Sequence, residues 1–213
     1  YAGINIDSGQ EPYSPALTKA IETLDGRNTI LWLFMQSRQH APSSPAGDER
    51  AVAILRELAL LAAKHKLRIA LYPHHAFWLE RVEDTVRLAG KVDRPNVGVT
   101  FNLCHWLRVS PNQSAESLIQ AAMPRLFAVS INGADSGGQD WKTLIQTLDR
   151  GTFDMAAFLK TLAQAGYTGP IGLQAYGIGG DACDNLKRSM QAWQKHARAL
   201  YGDVSPFGPP KKQ

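Results

Sequence analysis

Six short apolar runs, each followed by a segment of helical periodicity, constrain this chain more than any other feature. The runs are Tyr1–Ile6, Thr29–Met35, Leu67–Tyr72, Asn96–Leu103, Leu126–Asn132 and Pro170–Ala175. Thr29–Met35 (TILWLFM) shows no apolar–polar alternation, so it reads as a strand covered on both faces, the habit of parallel sheets. Between the runs lie helix signals. Ser14 and Pro15 supply an N-cap and an N1 proline, and Leu17, Ile21 and Leu24 form a stripe that stops at Gly26. Ser44-Pro45 opens a second helix with Val52, Leu55, Leu58, Ala59 and Ala62 on one face. Further helices are expected over Val82–Lys91, Ser114–Met123, Asp154–Ala165 and Cys183–Tyr201, and a long loop over Gly133–Gly151. Regular βα alternation implies a parallel sheet wrapped by helices, either an open doubly wound sheet or a (β/α)8 barrel. The turn after the first run, Asp7–Pro12 (DSGQEP), carries no glycine fingerprint for a dinucleotide and no P-loop.

Composition removes other classes. The chain has 213 residues, 44% of them hydrophobic, with 23 Lys+Arg against 19 Asp+Glu and a net charge of +4. That is too apolar and too balanced for a disordered chain. No apolar run reaches the roughly 18 residues needed to span a bilayer. Two cysteines cannot make a disulfide framework. No Lys/Arg run is interleaved with aromatics as a nucleic-acid groove requires. The expected partner is therefore a small molecule, with neither nucleic acid nor membrane. Compartment is not legible, and assembly into an oligomer stays open.

In a barrel, chemistry sits at the C-terminal ends of the strands. The six ends read Asn5-Ile6-Asp7, Gln36-Ser37-Arg38, Tyr72-Pro73-His74-His75, Asn102-Leu103-Cys104-His105-Trp106, Ser130-Ile131-Asn132 and Gln174-Ala175-Tyr176. Three of the six histidines fall at two of these ends. The other groups are amides, hydroxyls and aromatics, which suit the hydroxyls and apolar faces of a sugar. Each has a structural alternative: His74 and His75 as a turn pair on Trp78, His105 as a satisfied histidine near the core, and Asn102 and Asn132 as side chains that bond loop backbone; Trp141-Lys142 reads as an ordinary loop anchor.

The segments LRIALYPHH, NVGVTFNLCHWL, LFAVSINGAD, LDRGTFDMAAFLKTLAQAGYTGPIGLQ and NLKRSMQAW occur in this order. Together they resemble the xylose isomerase-like TIM-barrel superfamily, the sugar phosphate isomerase/epimerase group, over about Ile4 to Trp193. Gly151–Ile171 is the most specific piece. The resemblance implies a TIM (β/α)8-type barrel with six βα units visible, equivalent to family strands three to eight, the first two units being absent. At about 34 residues per unit the chain falls short of the roughly 250 residues of a closed barrel, so exposed strand edges are expected. Residues 1–201 read as one partial barrel domain, and 202–213 as a flexible Pro/Gly/Lys tail.

The resemblance also implies one divalent metal, held by a Glu, an Asp, a His and a Glu. The matching positions here are Tyr72, Asn102, Ser130 and Gln174, all neutral. Hard cations want anionic oxygens, so no cofactor is expected at those positions; a divalent metal on His74, His75 and His105 is the residual alternative. His105 and His75 match positions where family members often carry a histidine. The reading that follows is an isomerase-, epimerase- or lyase-like enzyme with His105 and His75 as the acid/base pair. Tyr72, His74, Asn102, Trp106, Asn132, Lys142, Gln174 and Tyr176 would bind substrate. The alternative is a non-catalytic carbohydrate-binding module on an inherited barrel. Apurinic endonucleases share the superfamily, but their His/Glu/Asp metal cluster is missing.

Overall fold

A computed structural model describes residues 1–202. Six parallel strands form one sheet in sequence order: β1 (Ala2–Asn5), β2 (Ile30–Gln36), β3 (Arg68–Leu71), β4 (Val97–Asn102), β5 (Leu126–Ile131) and β6 (Ile171–Leu173). Each is hydrogen-bonded to its sequence neighbours. Among the described residues β1 and β6 have one neighbour each, so the sheet is open with two strand edges. The helices are α1 (Pro15–Thr23), α2 (Asp48–Lys64), α3 (Val82–Val92), α4 (Leu103–Val109), α5 (Ala115–Ala122), α6 (Trp141–Leu144), α7 (Met155–Gln164) and α8 (Ala182–Tyr201). The segment expected to be a tail lies, apart from Gly202, outside the described residues.

Strand parity divides the sheet into two faces. Ile4, Leu33, Met35, Ile69, Leu71, Val97, Val99, Phe101, Val129 and Ile131 are buried and belong to the helix-side core. The helices contribute the stripes their spacing predicts, such as Leu17 and Ile21 on α1 and Ala51, Leu55, Leu58 and Ala62 on α2. Residues of the other parity line the barrel interior. Trp32 stands opposite Ala70, and Phe34 opposite Gly3, where a Cβ would come within 2.6 Å of the Phe34 ring. Glycine at position 3 thus makes room for an aromatic in the neighbouring strand.

Two local differences from the sequence reading shape the site. The apolar run Asn96–Leu103 does not continue as strand: the chain turns into α4 at Leu103, because a short apolar run has no period of its own to separate helix from strand. The segment 133–151 is not a plain loop. Gly133 and Gln146 form an antiparallel bridge, and Asp140 caps the short helix α6 by accepting from the Thr143 N–H. A Cβ at Gly133 would sit 2.1 Å from the Thr147 carbonyl oxygen, so only glycine permits this closure.

Candidate active site

The C-terminal ends of the strands open onto a cavity of about 620 Å³ lined by Tyr1, Trp32, Tyr72, His74, His105, Trp141, Ile145, Gln174 and Tyr176. A larger apolar cavity of about 750 Å³ lies between the outer face of β6 and α8, among Leu173, Leu186, Met190 and Trp193. It opens on the helix side of the sheet, away from the strand-end residues singled out in the sequence.

Tyr72 follows β3 and is only 4% exposed. Its ring stacks beside Trp32 at 5.4 Å and meets Tyr1 edge-on at 5.2 Å. Its hydroxyl lies 3.1 Å from Nε2 of His105 on α4. His105 is 5% exposed, and its ring lies 4.2 Å from that of His74. His74 in turn stacks on Phe77 at 3.9 Å. Trp141, the first residue of α6, closes the far side, its ring 5.5 Å from His105 and 5.7 Å from His75.

The peptide groups of His75 assign the proton on each of the two cavity imidazoles. A backbone carbonyl can only accept, so Nδ1 of His74, 2.7 Å from the His75 oxygen, carries a hydrogen. Nε2 of His74 is then a free base with no hydrogen-bond partner among the described residues. A backbone N–H can only donate, so Nδ1 of His105, 3.3 Å from the His75 nitrogen, is the acceptor. Nε2 of His105 therefore carries the hydrogen and donates to the Tyr72 hydroxyl oxygen. The phenolic proton is left for another acceptor. One residue thus sets opposite tautomers on two neighbouring rings.

Burial keeps these groups neutral. Desolvation is the largest cause lowering the His74 pKa below 6.5, opposed by the bond to the His75 carbonyl. Burial, followed by the nearby His74 and His75, pushes His105 down to about 3. Burial raises the Tyr72 hydroxyl far above its usual range; Cys104 and Tyr1 add to the shift and Gln174 opposes it. The free thiol of Cys104 is buried and pushed up to about 12, so it is inert.

Of the residues singled out in the sequence, Tyr72, His74, His105, Gln174 and Tyr176 converge on this cavity. His75 is not in the lining, but its backbone bonds to the rings of His74 and His105. Its Nδ1 lies 3.5 Å from Oε1 of Glu80 without hydrogen-bond alignment. The structure places the others elsewhere. Asn102 is fully buried below the rim, accepting from the Ser130 hydroxyl at 2.9 Å and donating to Thr100 Oγ1 and the Pro73 carbonyl. Asn132 is fully buried and donates to the Gly133 and Leu144 carbonyls, tying down the loop that carries Trp141. Trp106 packs in the core against Phe101 and Phe153. Lys142 is exposed, outside the cavity lining.

Tyr1, Trp32, Trp141 and Ile145 are lining residues that the strand-end reading missed. Strand parity held the signal for Trp32, which shares the inward face with Tyr72. For Trp141 no signal existed, because the folding of a long loop placed it.

The profile of the xylose isomerase-like TIM barrel matches residues 18–199. The chain belongs to the xylose isomerase-like TIM barrel family. Solved structures agree on the fold. The IOLI protein, crystallised with a zinc atom, is 17% identical with a TM-score of 0.68, over 88% of this chain and 70% of that one. A 3-keto-D-glucoside 4-epimerase from E. coli is 17% identical with a TM-score of 0.68, over 92% and 76%. A xylose isomerase domain protein from Planctomyces limnophilus is 17% identical with a TM-score of 0.59, over 79% of this chain but only 59% of its own length. No curated protein matches the sequence significantly.

A family metal does not fit the residues present. At the four matching positions no side chain is anionic. Asn102 and Ser130 are bonded to each other, and Tyr72 is engaged by His105. Both nitrogens of His105 are also engaged. Among the described residues no group of three or more His, Cys, Asp or Glu side chains is placed to hold an ion. No described helix is long and apolar enough to cross a membrane.

Proposed function

We propose that this chain is an isomerase-, epimerase- or lyase-like enzyme acting on a sugar or sugar derivative, with His74 as the base and Tyr72 as the acid. The observation that carries the reading is the pair of opposite tautomers on His74 and His105, facing one cavity. Proton abstraction beside a carbonyl needs a lone pair near the C–H bond and a donor near the oxygen. Nε2 of His74 takes the proton as the C–H bond breaks, and the carbonyl oxygen receives the phenolic hydrogen of Tyr72. Nε2–H of His105 supports the phenolic oxygen as it gains charge. Return of the proton from His74 to the former carbonyl carbon, with Tyr72 regaining its hydrogen from the neighbouring hydroxyl, isomerises the substrate. Reprotonation of the original carbon by water on the opposite face, with Tyr72 regaining its hydrogen from the enol, epimerises it. Departure of a β-hydroxyl as water, with the proton held by His74, and return of the enol hydrogen to Tyr72 make the reaction a lyase step. His105 is a positioning residue in this scheme, and His75 acts through its peptide. The aromatic walls, Trp32, Trp141 and Tyr176, suit the apolar face of a sugar ring. The E. coli structural neighbour is a sugar epimerase by name, which accords with this class.

The test is exchange of substrate C–H for deuterium in D2O, followed by NMR over a panel of aldoses, ketoses and keto-sugars. His74→Gln should abolish exchange, and Tyr72→Phe should slow it by about 100-fold or more, both with unchanged circular dichroism. Exchange that survives in His74→Gln would overturn the assignment. Sugar binding by the wild-type chain without exchange on any substrate would favour the binding-module reading. Elemental analysis of the purified protein accompanies the assay: stoichiometric metal that exchange depends on would also overturn this scheme.

A further inference from the structure

The ends of β1 and β2 hold a second polar cavity, of about 360 Å³, that the scheme above leaves unused. Its wall includes Asn5, Asp7, Gln36, Arg38 and Phe77. It adjoins the His74 cavity through the stacked His74–Phe77 pair, with Phe34 behind at 5.1 Å from Phe77.

The unused hydrogen-bonding groups here are mostly donors. The Arg38 guanidinium has no hydrogen bond or ion pair with any described residue; only its backbone N–H is engaged, by Asp7. Asn5 spends its Oδ1 on the Asp7 N–H at 3.0 Å, which leaves the amide hydrogens free. The Gln36 amide has no partner among the described residues. The one carboxylate on the wall keeps its negative charge, but its hydrogen-bonding capacity is committed elsewhere. Asp7 accepts from the Ser37 hydroxyl and the Arg38 and Gln39 backbone N–H groups, so its lone pairs face the β2–α2 loop that it orders. Three sets of spare donors, one of them a planar cation, surround a cavity with a satisfied carboxylate. Guanidinium and amide donors in this arrangement match the planar or tetrahedral oxygens of an anion.

We propose that this cavity is an anion subsite, which takes a carboxylate or phosphate carried by the substrate at the end remote from the reacting carbon. Arg38 is its main determinant, with Gln36 and Asn5 completing the contacts. The inference rests on the proposed function for the sugar itself, but the anion contact can be tested without it.

The closing experiment has two arms on the full chain. In the first, inorganic phosphate and acetate are titrated while the Arg38 side-chain N–H resonance is followed by NMR. At least one anion should shift that resonance saturably, with added NaCl weakening the effect, and the saturable binding should vanish in Arg38→Ala and persist weakened in Arg38→Lys. Absence of any saturable shift would overturn the subsite, whatever the sugar does. In the second arm, calorimetry compares D-glucose, D-glucuronate and D-glucose 6-phosphate. An anionic sugar should bind at least tenfold tighter than glucose, and Arg38→Ala should erase the difference while leaving glucose binding unchanged. Preference for glucuronate over the phosphate, or the reverse, identifies the anion. Equal affinity for all three refutes the subsite alone. Anion binding in the first arm with no exchange on any sugar of the wider panel refutes the proposed function and leaves the anion site standing.

Discussion

Acidification should destabilise this protein through His105, and replacing that residue should remove that share of the loss. The ring is buried, neutral and bonded on both sides, to the His75 N–H and the Tyr72 hydroxyl. Its pKa falls from an ordinary 6.5 to about 3, chiefly through burial. Below pH 6.5 the unfolded chain takes up a proton that the folded chain refuses. The stabilisation is therefore complete above pH 6.5 and is lost as pH falls towards 3, at about 1.4 kcal/mol per pH unit. Between pH 7.5 and pH 5 the loss integrates to about 2 kcal/mol. With a urea slope near 2 kcal/mol per molar, the unfolding midpoint drops by about 1 M. His105→Gln keeps a donor for Tyr72 and an acceptor for the His75 N–H but has no proton to gain. Its midpoint should be lower than wild type at pH 7.5 and should fall by about 1 M less on acidification. His74 and His196 are also shifted down by burial and lose stability in the same direction, but they are present in both proteins and cancel in the comparison. Urea unfolding at the two pH values measures the difference, and the His105 ring resonances report the titration directly. Equal losses in the two proteins, or a ring that titrates near pH 6.5, would refute the argument.

Other consequences follow from the same geometry. Activity should fall on the acid side with a pKa below 6.5, as His74 takes up its proton, and should show no alkaline limb near pH 10, because burial keeps the Tyr72 hydroxyl protonated; a pH–rate profile on any accepted substrate checks both limbs. Gly151→Ala should destabilise the fold by at least about 2 kcal/mol, since its φ is +92° and a Cβ would lie 2.1 Å from the Ala134 carbonyl oxygen; thermal unfolding reads this. Asn102→Ala should cost about 1–3 kcal/mol by leaving the Ser130 hydroxyl unpaired, with sugar binding nearly unchanged because Asn102 lies outside the cavity lining. Trp141→Ala should raise KM more than it lowers kcat, as expected for a wall rather than an acid or base.

Much of the architecture is legible without coordinates. Buried-type runs such as TILWLFM, alternating with capped amphipathic segments, dictate a parallel sheet with helices outside, because only that arrangement covers both faces of such strands. Parallel order then sends every strand end to one rim, which is why Tyr72, His74, Gln174 and Tyr176 line one cavity. Tertiary structure decided what spacing leaves open. His105 and Trp106 are adjacent in sequence, yet successive helical residues point about 100° apart, so α4 sends one to the cavity and the other to the core. Asn102 and Asn132 carry the right chemistry at the right strand ends but sit below the rim, where the backbone and Ser130 consume their hydrogen bonds. Trp141 arrived by the closure of a long segment on Gly133 and Asn132. The proton positions on His74 and His105 depend on a single peptide, that of His75, whose carbonyl and N–H meet two different rings. Composition and periodicity determine which residues share a rim; only packing determines which of them have a lone pair or a proton left to use.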